Sequence, residues 1–535
     1  MTYTKTASAL LMADFRREAH LQALAETPEW DVLIIGGGAT GLGVAVDAAT
    51  RGYRTLLLER DDFAKGTSSR STKLVHGGVR YLAQGQLGLV REALRERGRL
   101  LRNAPHLTRR QAFVIPCYQW WERPWYWLGL TVYDLLAGAR KLGRTRLLSL
   151  RNTQRHLPGV QPAGLRGGVL YEDGQFDDAR LALCLAQTAA DHGATVLNHV
   201  TVTELRKTAA GRICGAQARD EETGRLLEVR ARVVVNATGV FVDEVLRLDQ
   251  PAAAPLVRPS QGVHVVLPAE FLPGSDALMI PRTPDGRVLF AVPWQGHVVV
   301  GTTDTLVPAA SAEPQGLPAE VRFILDTAAR YLTRPPQPAD VLSTWAGLRP
   351  LAAPSRAGAA TKEISRSHKL LVSASGLLTI TGGKWTTYRQ MAEDVVDRAA
   401  TLGALPPQPC RTASLPLHGA PATAADATDL FAAYGTDAPA LHDLLQANPT
   451  WAASLAPGFP FQQVEVVWAA RHEMACTVED VLARRLRLLF LDARAAVAAA
   501  PTVAALLAQE LGRDTAWEQQ HIQQFRELAA GYLLD

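Results

Sequence analysis

Four consecutive apolar positions, Val32 to Ile35, run into the turn Gly36-Gly37-Gly38-Ala39-Thr40-Gly41, which opens a run of small residues. A second apolar run, Thr55 to Leu58, follows and ends at Glu59. Short apolar runs bounded by turn residues predict buried strands, and the small-residue stretch between them predicts a helix, giving a βαβ unit over 31–60. The same passage from apolar strand to small-residue turn recurs in RVVVNATG, 232–239, and in GLLTITGGK, 376–384. The latter continues into a helical pattern through Met391, Val395 and Val396.

Three other stretches have helical spacing without a clear partner. ASALLMADFRREAHLQALAE, 7–26, reads as an amphipathic helix that would lie on a bilayer or cover another domain. LVREALRERGRLLRN, 89–103, carries five arginines and reads as a solvated face. WWERPWYWLGLTVYDLLAGARKLGRTR, 120–146, holds four of the eleven tryptophans beside basic residues, which suits either a lipid headgroup interface or a buried sheet–helix junction. From 401 to 430 the pattern dissolves into Pro, Ala and small polar residues, and helical spacing returns beyond it, as in ARRLRLLFLD. Its arginines would face solvent or pair with Glu479 and Asp480, and no catalysis is assigned to them.

A chain of 535 residues is too long for one core, so two or three domains are expected. With 47% apolar and 20% charged residues it reads as globular, and a net charge of +4 argues against a dedicated nucleic-acid partner. The five cysteines (Cys117, Cys184, Cys214, Cys410, Cys476) form no C-x-x-C pair, which fits a reducing compartment and neither a disulfide framework nor a metal site. No apolar run approaches the roughly 20 residues of a membrane span, and no signal peptide is read in the first 29 residues. An intracellular protein with at most peripheral membrane contact is expected.

The first turn has the chemistry of a dinucleotide site. Gly36 allows the tight turn, Gly38 lets backbone amides approach a pyrophosphate at the helix N-terminus with Thr40, and Gly41 lets helix and strand pack closely. Glu59, beside Arg60, is placed to accept from a ribose diol. This segment alone leaves NAD and FAD open. Three strand-to-turn segments, with Thr238, Gly239, Gly383 and Lys384 in the later two, favour a long cofactor threaded by distant parts of one domain, hence FAD.

GTSSRSTKLVHGGVRYL, 66–82, follows the βαβ unit directly and is dense in donors. Thr67, Ser68, Ser69, Ser71, Thr72 and Lys73 would wrap the cofactor. His76, Gly77 and Gly78 would meet a flat ring. Arg80 and Tyr81 would reach an anionic, hydroxylated substrate.

Together with IIGGGATG, NATG, VGTTDT, WAGLRPL, EISR and GGKWTTYRQMAE, this stretch resembles the FAD-dependent, membrane-associated glycerol-3-phosphate dehydrogenases. The resemblance runs from about residue 31 to about 400 and resumes at HEMACTVEDVLARRLRLLFLD, 472–492. It implies an α/β chain with a glutathione-reductase-like, Rossmann-type FAD-binding domain, an inserted mixed-sheet substrate domain and an α-helical C-terminal domain. The expected division is an N-terminal extension 1–30 and an oxidoreductase unit 31–400. Within that unit, FAD-binding segments are expected at about 31–82, 170–250 and 340–400, and substrate-domain segments at about 83–169 and 251–339. A linker 401–430 and a helical domain 431–535 complete it.

The implied reaction oxidises sn-glycerol 3-phosphate to dihydroxyacetone phosphate, with hydride passing from C2 to the flavin and electrons onward to membrane quinone. A phosphate dianion needs converging cations, and the motif positions supply Arg80, Arg258, Arg349, Arg366 and Lys384. Arg366 and Lys384 are expected at the phosphate; Arg80, Tyr81 and Arg349 at the hydroxyls. For the C2 proton, His76 is the candidate base, against a packing role beside the flavin; Arg349 or Lys384 would instead stabilise an alkoxide. The chain departs from the family where Val240-Phe241 follow NATG in place of Pro-Trp, and where Gln261 stands in place of a lysine. The expected setting is the inner face of the cytoplasmic membrane, peripherally bound, with a homodimer admitted. A glycerol-3-phosphate oxidase reacting with oxygen, an amine or amino-acid oxidase, and a non-catalytic flavin-bound scaffold are the competing readings.

Overall fold

A computed structural model describes residues 15–83, 85–283, 286–352, 368–422 and 428–534. The predicted βαβ unit forms the centre of an 8-stranded sheet whose main path runs Lys369–Val372, Leu378–Thr381, Leu226–Asn236, Trp30–Ile35, Thr55–Leu58, Thr195–Leu197. All neighbours on this path are parallel except the first pair. Continuous apolar runs suit this position, because helices cover both faces of a parallel sheet and leave no polar side. The helix Ala39–Thr50 is buried almost throughout. Its small residues permit this: a Cβ on Gly43 would meet Tyr388 at 2.8 Å and one on Gly41 the Gly36 carbonyl oxygen at 1.9 Å.

A second, 10-stranded mixed sheet is built mainly from antiparallel pairs. Thr108–Cys117 pairs with Gly167–Phe176, and Val257–Pro268 with Ser343–Ala352. Ser343–Ala352, expected with the nucleotide segments, therefore lies wholly in this sheet, as do Leu74–Val75 and the strand that crosses residue 170. These strands leave the first sheet because their registered partners are in the second.

Helices Gln463–His472, Ala493–Leu511 and Thr515–Ala530 pack a separate apolar core that includes Trp294 and Trp345 of the second sheet. Arg484, Arg485 and Arg487, expected in part to face solvent, are buried. Arg484 pairs with Asp62, Glu479 and Asp480, Arg485 with Asp62, and Arg487 with Asp178. Carboxylates supplied by the nucleotide-binding half draw them inward. Within the described part of the expected linker, Leu405 and Leu417 enter the first sheet's core, and His418 sits between Asp191 and Asp437. In the helix Leu87–Asn103, Arg91, Arg95 and Arg102 are exposed as expected, but Arg97 is buried on Asp173 at 2.8 Å. The described part of the N-terminal helix, Arg17–Glu26, covers the protein: Arg17 pairs with Asp220, and His20 accepts from the Val196 amide.

Candidate functional site

The parallel strands Trp30–Ile35, Leu226–Asn236 and Leu378–Thr381 end at one edge, so the turns that follow them meet. They line a cavity of about 360 Å³ whose walls include Gly36, Gly38 and Thr40, then Thr238 and Gly239, then Gly383 and Lys384. Glu59, Arg60, Thr67 and Ser68 close the same cavity. Ligands of open α/β sheets bind at such carboxyl ends.

Each polar group at the turn is held from behind. The Glu59 carboxylate accepts from the Gly37 amide at 2.6 Å and the Asp61 amide at 2.9 Å. Burial, aided by Asp61, raises its pKa above the ordinary value. Ser68 Oγ accepts from the Ala39 amide at 2.9 Å, at the N-terminal end of the buried helix. Trp385 Nε1 donates to the Ser68 carbonyl at 2.8 Å, and Thr67 Oγ1 donates to the Leu348 carbonyl. Arg60 lies over the Phe241 ring at 4.1 Å and pairs with Glu244, so the departure at 241 keeps an aromatic surface at this wall.

These residues fit a dinucleotide. Gly36 has φ +108° and could carry no side chain without striking the Ala237 carbonyl, whereas open space surrounds Gly239. The Thr381 hydroxyl, buried on the cavity wall, has no hydrogen-bond partner among the described residues and faces the space a ligand would fill. A helix N-terminus beside a glycine turn supplies amides and partial positive charge for a pyrophosphate.

The loop 66–82 divides differently from expectation. Ser71 and Lys73 turn away from the cavity toward Asp178, so their assignment to the cofactor is corrected. The Ser71 amide and hydroxyl donate to Asp178 Oδ2 at 3.0 and 2.7 Å, and Lys73 Nζ donates to both its oxygens at 2.9 and 2.8 Å. Lys73 and Arg487 each donate to the Ser69 carbonyl at 2.7 Å. Burial, with Arg487 nearby, lowers the Lys73 pKa to about 7. Ser69 is buried beside this cluster and does not line the cavity, nor does Gly41, whose role is packing under Gly36.

Gly77 and Gly78 are glycines because of protein neighbours: their Cβ atoms would meet Tyr133 Oη at 2.6 Å and the Tyr81 ring at 2.4 Å. His76 stands outside the cavity lining, with its amide donating to Thr386 Oγ1 at 3.3 Å. At the cavity's Lys384 end, the Lys384 ammonium lies 3.6 Å from the centroid of the Tyr81 ring. Arg80 is on the short helix Val79–Ala83; its side chain, and Arg366 in segment 353–367, lie outside the described residues.

Arg349 extends from Ser343–Ala352 opposite Ser260 and lies over Gly262. It donates to Asp304 at 3.3 Å, Thr302 Oγ1 at 3.4 Å and the Thr303 carbonyl at 3.1 Å. Its neighbour Pro350 lines the cavity. Arg258 belongs to the same strand face by period-two alternation. Gln261 faces the other way, donating to Glu320 at 2.8 Å, so a change at 261 alters that buried cluster.

Three residues were missed from the sequence. Asp304 and Thr302 lie in the VGTTDT motif, which was recognised without singling them out. His264 stacks on Trp345 at 4.2 Å with Nε2 2.9 Å from Thr72 Oγ1. Burial, then Lys73 and Arg349, hold its pKa well below the usual value, so it is neutral. Its alternation with Gly262 along an apolar run was the only available signal.

Residues 31–389 match the family described as FAD dependent oxidoreductase, and residues 377–518 that described as the C-terminal domain of alpha-glycerophosphate oxidase. The chain is 42% identical over 542 residues to the mitochondrial glycerol-3-phosphate dehydrogenase of Macaca fascicularis, covering 95% of this chain and 74% of that one. It is 43% identical over 554 residues to the mitochondrial enzyme of Arabidopsis thaliana, covering 96% and 87%. Among solved structures, the glycerol-3-phosphate dehydrogenase of Bacillus halodurans complexed with FAD superimposes with a TM-score of 0.79 at 28% identity, over 98% of both chains. The L-alpha-glycerophosphate oxidase of Mycoplasma pneumoniae, also with FAD, shares the fold at 18% identity, with a TM-score of 0.53 over 72% of this chain and 97% of that one.

Proposed function

Because the chain belongs to the FAD-dependent glycerol-3-phosphate dehydrogenase family, we propose that it oxidises sn-glycerol 3-phosphate at C2 and passes the electrons to a membrane quinone. The observation that carries the reading is the meeting of Lys384 with Tyr81 at a cavity formed by three nucleotide-type turns. When bound, FAD would supply the two-electron acceptor, so that loss of the C2 hydroxyl proton and departure of hydride from C2 would turn glycerol 3-phosphate into dihydroxyacetone phosphate.

The protein's part is position and field. Gly36, Gly38, Thr40, Thr238, Gly239 and Ser68 hold the dinucleotide, with Glu59 accepting from its ribose. Arg349, with Arg80 and Tyr81, meets the substrate hydroxyls and brings positive charge that stabilises an alkoxide as the C2 proton leaves. Lys384 and Arg366, with Arg258, hold the phosphate. His76, on the loop beside Thr386, takes the proton in this reading. Quinone as acceptor entails contact with a bilayer, and the inner face of the cytoplasmic membrane is the setting we infer. Among the described residues no helix is long and apolar enough to cross a membrane, so a surface contact is the mode we infer.

The match of residues 377–518 to an oxidase-derived family favours a second reading, in which oxygen re-oxidises the flavin. Anaerobic addition of glycerol 3-phosphate to the purified flavoprotein should bleach its visible spectrum, and an intact flavin that stays yellow sinks the proposal. Re-oxidation by a quinone analogue faster than by oxygen supports the dehydrogenase; the reverse order supports the oxidase.

A further inference from the structure

Lys73, in the loop after the first βαβ unit, and Arg487, in the C-terminal helical unit, share an unfavourable backbone conformation and the same two acceptors. Their φ angles are +63° and +67°, in the left-handed region that residues with side chains rarely enter. Arg487 sits there between a π-helical turn, Asp480–Arg485, and the short helix Leu488–Leu491. Such conformations persist where surrounding contacts over-determine them, and here the contacts converge. Both side chains donate to the Ser69 carbonyl at 2.7 Å. Both also donate to the Asp178 carboxylate, Lys73 at 2.8 Å and Arg487 at 3.0 Å. Lys73, Asp178 and Arg487 are all fully buried.

The remaining contacts lock this arrangement from every side. The Ser71 amide and hydroxyl donate to the second Asp178 oxygen. The Lys73 ammonium is enclosed by the rings of Trp345, Trp294 and Phe490, with centroids 4.8, 5.3 and 5.5 Å away. Arg487 Nη1 donates to the Ala483 carbonyl at 2.7 Å, which ties the guanidinium to its own unit. Ser69, the residue gripped, directly follows Thr67 and Ser68 of the cavity wall, and Ser68 Oγ accepts from the Ala39 amide at the helix N-terminus. The cluster therefore holds the chain one residue away from the cofactor site.

We propose that Arg487, with Lys73 and Asp178, is a positioning clamp through which the C-terminal unit fixes the Thr67–Ser68 wall, so that retention of FAD depends on a residue outside the cavity lining. Removing the guanidinium leaves the Lys73–Asp178 pair neutral overall, so no unpaired buried charge is created. It does release the Ser69 carbonyl from the C-terminal unit. A wall free to shift then carries the Ser68 hydroxyl off the helix N-terminus, and the dinucleotide loses a preorganised site. The inference rests on FAD as the cofactor and is independent of the substrate and of the electron acceptor.

The test follows release of FAD from the full-length holoenzyme on dilution, read by flavin fluorescence well below the melting temperature. Arg487→Met should release FAD about tenfold or more faster than wild type. Arg487→Lys keeps the charge and the same backbone cost, and should stay within about threefold of wild type. Val503→Ala opens a cavity in the same C-terminal core without touching the loop. It should lower the melting temperature yet change release by less than about twofold. Wild-type release from Arg487→Met overturns the clamp. So does a lysine variant no better than the methionine one, since the bridging charge would then be immaterial. Release from Val503→Ala as fast as from Arg487→Met also overturns it, because general loosening of the C-terminal unit would account for the loss. If Arg487→Met is insoluble, Ser71→Ala removes one donor to Asp178 and should speed release about threefold, and a wild-type rate there overturns the clamp. A holoenzyme that glycerol 3-phosphate fails to bleach overturns the proposed function and leaves the release measurements standing.

Discussion

Lys384, from the third glycine turn, lies with its ammonium 3.6 Å from the centre of the Tyr81 ring, from the loop after the first βαβ unit. The cation is thereby held over an aromatic face at the cavity wall. Lys384→Met should lower kcat/KM for glycerol 3-phosphate by about 10- to 150-fold, the loss of one charge-assisted contact of roughly 1.5–3 kcal/mol. Steady-state kinetics with an artificial acceptor measures this, and a change under about threefold removes Lys384 from the substrate site.

Gly262 leaves the room that Arg349 occupies: a Cβ there would lie 2.3 Å from Nη2 and 2.7 Å from Thr302 Oγ1. Gly262→Ala should push the guanidinium aside while FAD stays bound. The expected result is a normal flavin spectrum with kcat/KM reduced about tenfold or more. Wild-type kinetics in this variant would show that the placement of Arg349 is immaterial.

Gly41 differs, because its Cβ would lie 1.9 Å from a backbone oxygen rather than from the end of a flexible side chain. Gly41→Ala must separate the buried helix from the first strand. The protein should be recovered insoluble or without flavin, as read from its absorbance after purification; a soluble variant with full FAD would contradict the close packing.

His418 bonds Asp191 through Nδ1 at 2.7 Å and Asp437 through Nε2 at 3.0 Å. Burial opposes its charge, but the two carboxylates outweigh burial and raise its pKa to about 10. The folded value lies above the unfolded value of 6.5, so the folded state holds the proton more tightly. Its stabilisation is complete below about pH 6.5 and is lost as pH rises toward 10. Thermal unfolding of His418→Gln should therefore show its largest deficit against wild type near pH 6, narrowing by pH 10. A deficit that widens with pH would refute the charged pair.

The loop at 66–82 shows where reading along the chain succeeds and where it stops. Thr67 and Ser68 reach the cavity because they directly follow the unit that builds it, and contiguity is visible in sequence. Ser71 and Lys73, a few residues on, belong to Asp178, whose position beside them arises only when the helix Asp178–Asp191 packs. Local donor density cannot say which anion a donor will meet. The tryptophans of 120–146 pose the same problem, since aromatic and basic residues suit burial and an interface equally.

The sequence alone determined the parallel sheet, its three turns and the chemistry they hold, because each is a short contiguous pattern whose apolar run and glycines have few physical alternatives. Tertiary structure decided the rest. It placed Ser343–Ala352 and Arg349 in the second sheet, drew Arg484, Arg485 and Arg487 inward to Asp62 and Asp178, and exposed the outer face of Glu122–Ala137. Each of those outcomes depends on a partner distant in the chain. A charge or a ring takes its role from whatever the fold sets against it, and local pattern carries no record of that neighbour.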